Sequence, residues 1–409
     1  MKQSTCRLCG TPLSNSFVNL GLSPLANSYV QKENSHRGEV FFPLHAYVCG
    51  NCYLVQLEEY ESPENIFSEY AYFSSYSNSW LDHAQSYASE ACERFGLSHA
   101  SQIIEIASND GYLLQYFKKY GVPVLGIEPA RNVAEIARGK GIPTVTEFFG
   151  AKYAIQLAKE YKADLLIANN VLAHVPNLND FVVGMKKILK PQGVISVEFP
   201  HLQRLIEDNQ FDTIYHEHFS YFSFFVICRL FADHGLEVFD VKELPTHGGS
   251  LRVYVKHAED NTWHVSPSVS ALLVQEELSG LKEMLTYQAF GSRVVNVKRQ
   301  ILEFFFNVKE EGKTIVGYGA PAKGNTLLNY CGIKTDYLDY TVDRNPHKQG
   351  LYLPGSRILI KHPDMIKVTK PDYVLILPWN LTDEILDQMS YVREWGGRFV
   401  VIIPEIKVI

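Results

Sequence analysis

Gln102-Ile103-Ile104-Glu105-Ile106-Ala107-Ser108-Asn109-Asp110-Gly111 is an apolar run that breaks abruptly into small and polar residues. The isoleucine-rich half is too short for a helix and reads as a buried strand. Ser-Asn-Asp-Gly reads as a tight turn whose glycine accepts positive φ at no steric cost. A helix from Tyr112 to Tyr120 follows, and a second strand, 122–127, ends on Glu128. Strand, turn, helix and strand form the unit of a parallel sheet. An acidic residue 17 positions beyond Gly111 stands where a carboxylate accepts the hydroxyls of a ribose.

Outward from this unit the alternation continues. Strands are expected at 163–168, 194–199, 236–241 and 251–256, with helices near 132–140, 180–189 and 223–234. The short link between the last two strands makes that pair antiparallel. The final hundred residues repeat the logic. Ile315-Val316-Gly317-Tyr318-Gly319-Ala320-Pro321-Ala322-Lys323-Gly324-Asn325 is a strand, a glycine-rich turn and a helix start, and backbone N–H groups there suit a pyrophosphate, with Lys323 adding charge. Gly317, Gly319 and Ala322 also satisfy the looser G-x-G-x-x-A pattern, so a dinucleotide stays in play. Residues 268–310 carry helical periodicity, with Leu272, Leu273, Leu278, Leu281 and Leu285 as the expected apolar stripe of a connector.

Upstream, Cys6-Arg7-Leu8-Cys9 and Cys49-Gly50-Asn51-Cys52 each place two thiolates for one tetrahedral zinc. Four thiolates leave no open coordination position, so the metal is expected to be structural; a redox C-x-x-C is the rival reading. Residues 24–48 must fold back as a loop or small hairpin. Cys92, Cys228 and Cys331 lack partner spacing and read as small buried hydrophobes. Residues 58–96 turn to Tyr, Ser and Glu, either a packed linker or a lid, and a helix is expected at 80–95.

At 409 residues the chain should hold two or three domains, and 46% apolar with 20% charged residues is an ordinary globular composition. A net charge of −7 argues against non-specific nucleic-acid binding. No run of 18 apolar residues occurs and the N-terminus lacks the apolar core of a signal peptide, so a cytoplasmic, membrane-free protein is expected. The densest chemistry lies in Phe211-Asp212-Thr213-Ile214-Tyr215-His216-Glu217-His218-Phe219-Ser220-Tyr221-Phe222. Within the seven residues 215–221, two imidazoles, a carboxylate and two phenols among aromatics mark a reaction centre, against the plainer reading of a wet turn beside an aromatic core.

Glu105 to Gly111, then Gly126-Ile127-Glu128-Pro129, then Asn169-Asn170-Val171-Leu172-Ala173-His174 resemble the successive cofactor motifs of class I S-adenosylmethionine-dependent methyltransferases. The resemblance implies cofactor contacts from Glu105, Ala107, Ser108, Asn109, Gly111, Glu128, Pro129, Asn169 and Asn170. A glycine is usual where Ala107 stands. With the cysteine knuckles and Tyr215-His216-Glu217-His218, the chain is similar over nearly its whole length to the three-domain sugar C-methyltransferases. These methylate C-3 of nucleotide-linked 4-keto-deoxyhexoses through an enolate, in branched-chain deoxysugar biosynthesis.

The resemblance implies an α/β protein: a small zinc-binding domain (1–66), a helical linker or lid (67–100), a Rossmann-like methyltransferase domain with a mixed seven-stranded sheet (101–257), a helical connector (258–311) and a Rossmann-like nucleotide-sugar domain (312–409). His218 would be the base, Tyr215 and His174 donors to the enolate oxygen, and Glu217 an orienting group or the base itself. Tyr70, Tyr72, Ser75, His247, Arg252, Lys323, Asn325 and Asp343 would meet the substrate. S-adenosylmethionine and a structural zinc on Cys6, Cys9, Cys49 and Cys52 are the implied cofactors, in a monomer or weak homodimer. An NAD-linked nucleotide-sugar oxidoreductase and a zinc-containing binding protein without catalysis are the alternatives.

Overall fold

The computed structural model describes residues 4–62, 64–65, 75 and 78–409. Three antiparallel strands, β1 (Asn15–Ser23), β2 (Phe42–Val48) and β3 (Val55–Leu57), carry the N-terminal lobe. Residues 24–41 therefore form the return between two paired strands, as the cysteine spacing required. The fourth strand of this sheet comes from far along the chain. Ser220–Tyr221 pairs with β3, Gln56 opposite Ser220 and Val55 opposite Tyr221.

The central sheet contains β4 (Ile103–Ile106), β5 (Val124–Ile127), β6 (Thr144–Val145), β7 (Ala163–Asn169) and β8 (Leu189–Pro200). After β9 (the Ser220–Tyr221 strand) it adds β10 (Leu236–Leu244) and β11 (Ser250–His257). Seven strands run in the order β10-β11-β8-β7-β4-β5-β6. The five from β6 to β8 are parallel, and β11 is antiparallel to both of its neighbours. Every residue of β4 and β5 is buried, which is why they read as continuous apolar runs with no alternation. The two-residue β6 and the helix Ala151–Leu157 were not legible, because two residues carry no period.

The C-terminal sheet comprises β12 (Ile315–Tyr318), β13 (Thr341–Val342), β14 (Ile360–Lys361), β15 (Tyr373–Ile376), β16 (Arg398–Val401) and β17 (Lys407–Val408), ordered β14-β13-β12-β15-β16-β17 and parallel except for β17.

The connector departs from expectation. It is two helices, Pro267–Leu278 and Met284–Glu310, and the intervening turn, with Gly280 at φ 76°, resets the helical phase. Leu272 and Leu281 are buried, but Leu278 is 84% and Leu285 75% exposed. The true buried stripe is Tyr287, Phe290, Val294, Val297, Ile301, Phe305 and Val308.

Candidate active site

The turn after β4 takes φ of 53° at Ala107, 50° at Asn109 and 76° at Gly111. Ala107 thus adopts the left-handed backbone of the glycine usual there, at a cost of roughly 1–2 kcal/mol. Glu128 caps this turn: its Oε2 accepts from the Asn109 amide and its Oε1 from the Ala130 amide, each at 2.9 Å. Burial raises its pKa to about 7. Glu105 is also raised well above the ordinary carboxylate range, by burial and by the charges of Glu128 and Asp110. Around the turn, Glu105 Oε2, Ser108 Oγ, Asp110 Oδ1, Asn169 Oδ1 and both amide atoms of Asn170 are buried with no hydrogen-bond partner among the described residues. Buried polar atoms are seldom left so, and this set, carboxylate and amide oxygens with the Ser108 hydroxyl and the Asn170 amide nitrogen as donors, suits the amine, carboxylate and ribose hydroxyls of S-adenosylmethionine. Pro129 follows Glu128 and is half-buried.

The 211–222 segment, the expected reaction segment, lies against the loop after β7, at the same edge of the sheet. The Phe219 amide donates to the Ala173 carbonyl at 2.7 Å, and the rings of His174 and His218 stand 4.7 Å apart. His218 Nδ1 is 3.0 Å from the Thr213 carbonyl, which accepts only, so Nδ1 carries the proton. Nε2 then accepts from the Tyr215 hydroxyl at 2.8 Å. Burial holds His218 well below its ordinary pKa and lowers His174 to about 4, so both rings are neutral. His174 Nδ1 donates to the Glu217 carbonyl at 2.7 Å, which makes its Nε2 an acceptor. The expected role of His174 as a donor to an oxyanion is therefore corrected: the polarity is reversed.

The C-terminal lobe closes over this segment. Lys323 Nζ donates to Asn380 Oδ1 at 2.7 Å and sits 4.3 Å from the centre of the Trp379 ring. Burial lowers its pKa to about 8, and its charge reaches both His218 and His247. The Trp379 indole donates to Asp212 at 2.7 Å; Asp212 is buried and raised to about 6. His247, at φ 55° and half-buried, has its ring 5.2 Å from Trp80. A cavity of about 440 Å³ lies behind the His247 turn, lined by Arg204, Glu243 and Gly248, and no group of the reaction segment faces it.

The four expected metal ligands converge, with all Sγ atoms within 4.8 Å of one another. Cys6 and Cys52 are 3.4 Å apart, and Cys9 and Cys49 3.5 Å. Tetrahedral zinc–thiolate bonds of about 2.3 Å require sulfurs about 3.8 Å apart, so the set fits zinc. Arg7, inside the first knuckle, donates to the carbonyls of Leu57 and Phe219 and lies 5.3 Å over the Phe219 ring, tying the metal site to the reaction segment.

Three family models match in succession: a zinc binding domain over residues 6–67, a methyltransferase domain over 80–241 and a C-methyltransferase C-terminal domain over 245–404. The C-methyltransferase NovU of Streptomyces niveus is 39% identical over 405 residues, covering 99% of this chain and 96% of NovU. The chain belongs to the C-methyltransferase family. It is an S-adenosylmethionine-dependent methyltransferase with a zinc-binding lobe. Among solved structures, the magnesium protoporphyrin IX methyltransferase of Synechocystis PCC 6803 with bound SAH is 14% identical, spanning 43% of this chain and 82% of that one at a TM-score of 0.35. An S-adenosylmethionine-dependent methyltransferase from Clostridium acetobutylicum ATCC 824 is 13% identical, spanning 43% and 91% at 0.35.

Several expected substrate contacts of the methyltransferase have partners within the protein. Arg252 is 2% exposed; it pairs with Glu198 directly across the β11–β8 ladder and lies over the Tyr87 ring at 4.0 Å, so it is an internal ion-pair partner and not a substrate ligand. Asn325 is buried and donates to the Ala26 carbonyl at 2.7 Å, pinning the N-terminal lobe. Asp343 accepts from the Ala320 and Asn345 amides at 2.8 Å each, bracing the glycine turn. Ser75 accepts from Lys140, which also pairs with Asp110, on the cofactor side. Tyr70 and Tyr72 lie outside the described residues. Sequence reasoning missed Asn27, Tyr29, Asp212, Trp379 and Asn380. Asn27, Tyr29, Trp379 and Asn380 are ordinary residue types brought in from distant segments, whereas Asp212, three positions before Tyr215, lies within the quoted stretch with no role expected for it.

Proposed function

We propose that the methyltransferase acts on C-3 of a nucleotide-linked 4-keto-deoxysugar through an enolate, in branched-chain deoxysugar formation. The observation that carries this reading is the Tyr215–His218 pair, whose polarity is set by Thr213. Alkylating carbon demands removal of a C–H proton, and a neighbouring ketone makes that proton acidic because the charge moves to oxygen. Tyr215 already donates to His218 Nε2. As its oxygen takes the C-3 proton, its own proton passes to Nε2, so His218 serves as the base through the phenol. The imidazolium forms only as the ketone oxygen becomes negative, so the site gains no net charge and the depressed basicity of His218 is offset. With His174 oriented as an acceptor, Lys323 is the cation available to stabilise that oxygen, a role worth about 3 kcal/mol in organised sites. S-adenosylmethionine, held by Glu105, Asn109, Glu128, Asn169 and Asn170, supplies an electrophilic sulfonium methyl when bound.

The test is mass spectrometry of a panel of nucleotide-linked 4-keto sugars incubated with protein and S-adenosylmethionine. One member should gain a methylene and should exchange its C-3 proton with heavy water when the donor is omitted. Tyr215→Phe and His218→Ala should both abolish exchange while cofactor affinity stays as in the wild type. A panel with no methylated product, or exchange that survives both substitutions, overturns the proposal.

A further inference from the structure

Glu217 sits between Tyr215 and His218 in the chain, is 2% exposed, and has no place in the proton path above. Its carboxylate is held from another lobe. The side-chain amide of Asn27, 190 residues upstream in the return between β1 and β2, donates to Oε1 and Oε2, both at 2.8 Å. The carboxylate accepts only, so it fixes the direction of that amide; behind it the Tyr29 hydroxyl donates to the Ala320 carbonyl of the C-terminal glycine turn at 2.6 Å and lies 3.3 Å from Asn27 Oδ1. Lys348 donates to the same carbonyl at 2.9 Å and covers the Tyr29 ring at 5.0 Å, while Asn325 holds the Ala26 carbonyl. Three lobes thus meet around Asn27 and Tyr29.

We propose that Asn27 is a positioning residue of the active site, a side chain of the zinc-bearing lobe whose amide keeps the carboxylate of Glu217, the chain neighbour of His218, ionised and fixed. A buried carboxylate loses its hydration, and donors to its charged form are what make ionisation tolerable. A fixed negative charge at that point favours the imidazolium that forms on His218 during proton removal. Among the described residues, the titratable groups around Glu217 are Tyr29, with Asp343 and Lys348 behind it, His174 through the Glu217 carbonyl, and Tyr215 and His218 on its own segment. This inference rests on the proton-removal reading.

The experiment compares the zinc-loaded wild type with Asn27→Leu, which removes the donors at similar volume, and Asn27→Asp, which sets a second carboxylate against Glu217 so that the two share a proton. The acid limb of kcat should move to higher pH in the order wild type, Asn27→Leu, Asn27→Asp. The loss for Asn27→Asp should be at least about tenfold at pH 6 and shrink toward pH 9, each tenfold matching one pH unit. Independently of any substrate, the infrared band of a protonated carboxyl, assigned by its disappearance in Glu217→Gln, should persist to higher pH in both variants. Methyl transfer with an unmoved acid limb and an unmoved band overturns the role of Asn27. A band that moves in a protein that methylates no keto sugar leaves Asn27 in place and removes the proposed reaction.

Discussion

Replacing Glu128 by glutamine should make the cofactor-free protein respond differently to pH. In the folded chain the Glu128 carboxyl titrates at about 7 against 4.5 for a free glutamate, because burial disfavours the charge more than the Asn109 and Ala130 amides favour it. A raised carboxylate pKa means that the native state binds the proton more tightly. The stability it contributes is complete below 4.5 and is lost as pH rises through 7. About 2.5 pH units at 1.36 kcal/mol each gives about 3 kcal/mol lost between pH 4.5 and 8. Glu128→Gln carries no such loss. Its amide leaves one of the two backbone donors facing an NH₂, a cost of roughly 1–3 kcal/mol that does not vary with pH. The difference in stability between variant and wild type should therefore shift by about 3 kcal/mol in favour of the variant from pH 4.5 to 8. Glu105 is raised mainly by burial in both proteins; the smaller part due to the Glu128 charge is lost in the variant and acts in the same direction as the shift. Urea unfolding of zinc-loaded protein, followed by fluorescence and circular dichroism together, measures the shift. Calorimetry should show S-adenosylmethionine binding more weakly to the variant by roughly 10- to 150-fold, the worth of hydrogen bonds to a charged group. Parallel stability profiles for the two proteins, or unchanged affinity, would refute the assignment of Glu128.

Further outcomes follow from the same geometry. Arg252→Leu leaves the Glu198 carboxylate buried against His83 alone and should cost roughly 3–5 kcal/mol in thermal or urea unfolding, most of it recovered by adding Glu198→Leu; a single variant as stable as wild type contradicts the ion-pair reading. Removing zinc with a chelator should raise amide hydrogen exchange across residues 215–222, because β9 is anchored on the metal-held lobe, and exchange confined to residues 4–60 would show the two uncoupled. Lys323→Met should lower kcat by roughly 100- to 1,000-fold with little change in inhibition by a nucleoside diphosphate. A rise in KM alone would place Lys323 on the phosphates instead.

What could be read in advance was local. The β4 turn, Glu128 seventeen residues beyond Gly111 and the two C-x-x-C knuckles each declare themselves within a short window. Arg252 misled because a strand residue's partner depends on register: it stands opposite Glu198 on β8 and is buried with it, which the resemblance that suggested a substrate contact does not reveal. The leucine stripe misled because the break near Gly280 changed phase between two helices. Asn27 and Tyr29 gave no signal, since a lone asparagine in a connecting segment has the same composition whether it meets solvent or a carboxylate 190 positions away.

The pairing of Val55 with Tyr221 bears on how such enzymes can be recombined. Three successive family matches invite the view that this is a string of exchangeable parts. A fragment starting at residue 101 would carry β9 without the strand that it completes, and Phe219 without the arginine that covers it. Swapping the first lobe between homologues would likewise transplant one edge of the reaction centre, so a chimera should keep turnover only if its 215–222 segment travels with the donor of residues 4–60.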